Sequence, residues 1–116
     1  MDSKGRLQLA GDAYVRLRRL RQHFDDFLDA IQDVKLPALT VTRTEGGAIV
    51  MFCGQLFDVT LDYWPESEYA AMRLGSTVTT FWQNGSILEP GNPVTLQAAG
   101  VPLFCDLLAK AVFTLA

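Results

Sequence analysis

A chain of 116 residues and 12.8 kDa has room for one domain and not two. Apolar side chains make up 49% and mean hydropathy is +0.15, which excludes a disordered linker protein and favours self-association, since one small core cannot hide so much apolar surface. Net charge is −3 but unevenly placed: residues 1–24 hold six basic side chains against two acidic (+4), and the remainder holds four against eleven (−7), a pattern that invites electrostatic pairing and speaks against phosphate-rich partners.

The first element is a long helix, expected over Asp12 to Lys35 with Asp12 as its cap after Gly11. Ala10, Ala13, Leu17, Leu20, Phe24, Phe27, Ile31 and Val34 follow spacings of 3, 4, 3, 4, 3, 4 and 3, a heptad stripe. At 1.5 Å per residue such a helix is about 36 Å long. That matches a whole domain of this size, so part of the helix must pass beyond the sheet or meet another copy. Leu36-Pro37 ends it.

The period then changes to two. Leu39, Val41 and Arg43 alternate with Thr40, Thr42 and Thr44, and Glu45-Gly46-Gly47 is a turn. Ala48 to Cys53 is a continuous apolar strand, Gly54-Gln55 fits a two-residue turn, and Phe57, Val59, Leu61 and Tyr63 line one face of a third strand. Trp64-Pro65 breaks it. Glu66 to Leu74 is expected as a short helix, Ser76 to Trp82 as a strand, and Asn84-Gly85 as a hairpin turn returning through Ser86 to Glu89. Pro90-Gly91-Asn92-Pro93 is a loop, and Val94 to Ala98 an edge strand or extended connection. Gly100-Val101-Pro102 opens a final helix whose charges are Asp106 and Lys110. The fold class is α+β: one domain over residues 1–116, a long N-terminal helix, an antiparallel sheet of four to five strands (a three-strand meander plus a hairpin), and a C-terminal helix on the sheet.

Cys53 and Cys105 lie in apolar runs and read as reduced core thiols. No signal-peptide apolar region opens the chain, and no stretch approaches the ~18 apolar residues of a membrane span. A cytoplasmic protein without membrane contact is expected. Catalysis has little to work with. His23 is the one histidine, beside the heptad stripe, where a structural role is the ordinary one. The cysteines lack zinc-ligand spacing, and neither phosphate-loop, dinucleotide nor nucleophile-elbow patterns occur. Asp58 and Asp62 stand about 13 Å apart along one strand, too far to share a reaction. No catalytic residue, metal or cofactor is expected.

The candidate binding residues are on the first helix. Arg16, Arg18, Arg19 and Arg21 crowd its N-terminal half, and Asp25, Asp26, Asp29 and Asp33 its C-terminal half, the reverse of what the helix dipole favours. Packing on the chain's own sheet, with the charges solvated, is one solution for this helix. A second copy packed antiparallel is the other, with Leu17, Leu20, Phe24 and Phe27 at the seam and Asp25 and Asp29 meeting the partner's arginines. The same arginines could serve a foreign protein, or a nucleic acid as a less favoured alternative. Trp64 and Trp82 read first as core, with Trp64, beside a proline break, as a candidate aromatic anchor. The order helix, meander, helix or loop, hairpin, helix, with the acidic pI and small size, resembles that of the small dimeric secretion chaperones that hold effector proteins in bacteria. That resemblance implies a dimeric protein-binding module. The expected function is therefore a non-enzymatic adaptor, chaperone, inhibitor or regulator. A nucleic-acid-associated regulator and a small-molecule-binding domain with a pocket in the helix–sheet gap are the alternatives.

Overall fold

A computed structural model describes residues 2–64, 66–88 and 94–115. Helix α1 spans Ser3–Gln32, strands β1 to β5 span Leu39–Arg43, Gly47–Phe52, Gln55–Tyr63, Tyr69–Leu74 and Thr77–Trp82, and helix α2 spans Leu96–Leu115. The strands form one antiparallel sheet in the order β1-β2-β3-β4-β5, each paired with its neighbour in the chain. Both helices lie on one face of it, so the α+β class is as expected.

Alternation decides what faces the helices. Ala48, Val50, Phe57, Val59, Ala70, Met72, Leu74 and Phe81 point inward and are buried. They meet Leu20, Phe24, Phe27, Leu28 and Ile31 of α1 and Leu96, Phe104, Leu107, Leu108 and Ala111 of α2. The register pairs Val50 with Phe57 and Ala48 with Val59, so neighbouring inward residues stack on one side. Gly47 allows β3, and behind it α1, to come close: a Cβ there would lie 2.0 Å from the Val59 carbonyl oxygen of β3 and 3.3 Å from the Phe24 ring.

Several expectations are corrected. Helix α1 begins at Ser3, not after Asp12; Asp2 is the cap, its carboxylate accepting from the Gly5 N–H at 2.7 Å. Gly11 sits inside the helix, where it costs about 1 kcal/mol and does not break it. The β2–β3 turn is Cys53-Gly54, with φ of 52° and 81°, rather than Gly54-Gln55. Glu66 to Leu74 is no helix: its second half is β4, because Ala70, Met72 and Leu74 alternate inward between two strands and tertiary pairing overrides helix propensity. The return after Asn84-Gly85 is a stub, with bridges Phe81 to Ile87 and Ser86 to Thr95 instead of a strand, and Leu96 to Ala99 is a helical turn, set off by a break at Gly100 (φ 41°) from the main part of α2, which Val101-Pro102 opens as expected. Glu89 and the Pro90–Pro93 loop, like Pro65, lie outside the described residues. Cys53 and Cys105 are exposed free thiols, Cys53 on the turn and Cys105 on the outer side of α2. By length and composition α2 could also cross a membrane, although its inner side belongs to the core.

Candidate functional site

The sheet has a second face that neither α1 nor α2 covers. Ile49 and Met51 of β2, Leu56, Asp58, Thr60 and Asp62 of β3, and the alternate residues of β4 and β5 point to it, because their neighbours point to the core. Toward β5 this face forms a groove of about 740 Å³. Trp64, Tyr69 and Trp82 are its aromatic walls, at 51%, 40% and 38% exposure. Tyr69 and Trp82 are cross-strand partners that pack edge to face, ring centroids 5.8 Å apart at 78°. Ala71 and Thr80, also partners, form a low floor. Glu66 and Glu68 stand exposed at the lip. Arg73 lines the opposite side, and its guanidinium is paired with Asp62. With that cation paired, Glu66 and Glu68 are the groove's remaining charged side chains, Glu66 also lining a neighbouring hollow with Arg16.

The expected pocket between helices and sheet is not where this concavity lies; that gap holds the buried core. Trp64 is indeed exposed, and Trp82 is exposed as well rather than buried. Tyr69, Glu66 and Glu68 were hidden by reading their segment as a helix. The signal that would have found them is the period of two in Tyr69, Ala71 and Arg73 against Ala70, Met72 and Leu74.

Several charged side chains of the first helix are engaged within the chain. Arg43 of β1 reaches across to Asp29, Nη1 to Oδ1 at 2.6 Å, and to Asp25, Nη2 to Oδ1 at 3.2 Å. Arg21 donates to the Glu45 carbonyl at 3.2 Å, and Arg19 to the Gln83 side-chain oxygen at 3.3 Å. Arg16 is half-buried and also engaged, which leaves Arg18 exposed beside Tyr14 and Leu17. Leu20, Phe24 and Phe27 are fully buried against the sheet and α2, and Leu17 is half-buried. The seam expected to receive a second copy is thus filled by the chain's own core. The compensation expected from a partner's arginines comes to Asp25 and Asp29 from Arg43. What α1 leaves open is its first part, with Leu7, Leu9, Tyr14 and Val15 exposed.

His23 packs against the turn after β5. Its Nε2–H donates to the Gln83 carbonyl at 2.9 Å, and its ring lies 3.0 Å from where a Cβ on Gly85 would be. Among the described residues no group of three or more His, Cys, Asp or Glu side chains could hold a metal ion. No family model, curated protein or solved structure matches this chain.

Proposed function

We propose that this chain is a non-enzymatic protein-binding module that takes an extended, basic segment of another protein on the open face of its sheet. The observation that carries the reading is the groove of Trp64, Tyr69 and Trp82 with Glu66 and Glu68 at its lip. Aromatic side chains supply rigid contact area and are enriched where binding energy concentrates. A lysine or arginine held against such rings gains about 0.5–2 kcal/mol from cation–π attraction, and nearby carboxylates add to it. Ile49, Met51 and Leu56 extend the same face for apolar neighbours in the bound segment. The two exposed free thiols suit a reducing, cytoplasmic setting.

A displayed random-peptide library selected on the whole protein tests this. Enriched peptides should carry a basic residue flanked by apolar ones and quench tryptophan fluorescence. Trp82→Ala should weaken them roughly tenfold or more, the scale of one interface hot spot. Glu66→Lys with Glu68→Lys should turn the selection toward acidic peptides. Peptides that lack basic residues, or that bind Trp82→Ala as well as the parent, overturn the reading.

A further inference from the structure

The outer side of α2 is another apolar surface that no described residue covers. Only 28% of the apolar window of this helix is buried. Phe104, Leu107, Leu108 and Ala111 face the core, so the stripe through Pro102, Cys105, Ala109 and Phe113 faces away from it. All four are exposed, Phe113 at 74%. Asp106 and Lys110 flank this stripe on one side, and no ion pair between them or with any other described residue is formed.

We infer that this stripe is a two-fold interface between two copies of the chain, their α2 helices packed antiparallel. The positions fit such a symmetry with the axis near Leu108, where Asp106 and Lys110 of opposite copies are level. Ala109 then lies about 3 Å along the axis from its own counterpart, and a small residue near the crossing lets the helices approach closely. Phe113 and the other copy's Pro102, and Cys105 and the other copy's Val112, are within about one residue of level. Asp106 then faces Lys110 of the other copy, and Lys110 faces Asp106, so both charges are answered twice by one operation. A parallel arrangement would set Asp106 against Asp106. A lipid surface would press both charges into hydrocarbon, since the face opposite the stripe is core and not solvent. A second copy is the occupant whose charges complement the stripe.

Light scattering across the micromolar range reads the mass. The parent should run at twice the 12.8 kDa of the chain. Ala109→Arg sets two cations against each other at the crossing and should run as a monomer with an unchanged far-ultraviolet circular dichroism spectrum, since the position is exposed. Asp106→Lys should weaken the dimer roughly tenfold, the equivalent of about 1.4 kcal/mol, and adding Lys110→Asp should restore it. In a Cys53→Ser, Cys105→Ser background, Ala109→Cys should cross-link into covalent dimers on mild oxidation, and Gln97→Cys should not. A monomeric parent, a dimer that survives Ala109→Arg, or a charge swap that fails to rescue overturns the inference. So does flotation of the parent with phosphatidylcholine–phosphatidylglycerol vesicles that Ala109→Arg abolishes without changing the mass. Groove substitutions such as Trp82→Ala should leave the mass alone, and Ala109→Arg should leave peptide binding alone, so the two readings stand or fall separately.

Discussion

Cys53 occupies the left-handed region at φ 52°, where a side chain carrying a Cβ is disfavoured by roughly 1–2 kcal/mol and asparagine less so. The turn it opens with Gly54 has positive φ at both central residues, the geometry in which Asn-Gly is preferred. Cys53→Asn should therefore stabilise the protein by about 0.5–1 kcal/mol and raise Tm in a thermal melt. At the other end of the sheet Gly85 holds φ 90° beneath the His23 ring, so Gly85→Ala meets both backbone strain and a contact at 3.0 Å. It should cost about 1–3 kcal/mol in denaturant unfolding, and more than His23→Ala, which removes the ring but keeps the glycine. The turn at Cys53 also shows a limit of alternation. Moving a two-residue turn one position along the chain shifts the pairing by two, which leaves Val50, Phe57 and Val59 all facing inward. The faces were legible in the residues, and the register was not.

Helix α1 divides into a buried half and an exposed one. Removing residues 2–11 takes away no core side chain, so Tm should stay within a few degrees of the parent, because the transition is set by the packed part. Phe24→Ala, by contrast, empties a fully buried position and should cost about 3–5 kcal/mol, a large share of a domain's whole stability. The Arg43 clip joins the buried half to the edge strand β1. Its arginine and Asp25 keep 30% and 39% side-chain exposure and Asp29 keeps 69%, so solvent screens it. Arg43→Ala should cost about 1 kcal/mol, less in high salt than in low, measured as paired melts at two ionic strengths. The heptad stripe was legible in the sequence because period 3.6 is a local signal. The partner of its charged side was not, since Arg43 is 14 residues beyond Asp29 and reaches it only once the chain has reversed. Strand β4 was hidden for the opposite reason: Ala, Met, Arg and Leu favour a helix locally, and only β3 and β5 on either side make them a strand.

As a whole the molecule measures 55 × 32 × 26 Å, its length fitting a helix of 30 residues beside a small sheet. The candidate groove depends on this arrangement more than on any motif. Aromatic residues at strand ends were visible in the sequence, but which face they take depends on which side the helices choose. Every strand pairs with its neighbour in the chain, so the sheet can assemble from local hairpins. The core, however, is closed by the first and last elements together, since α1 and α2 pack on each other over the same inward face. During synthesis the phenylalanines and leucines of α1 leave the ribosome before α2, which supplies their last cover, has been translated. A chain released before α2 therefore has a sheet without a finished interior, and quality-control proteases and holding chaperones could distinguish it from the completed product by its greasy underside. A released fragment ending at Thr95 should bind more of a hydrophobic dye and be cut faster by protease than the chain that includes α2.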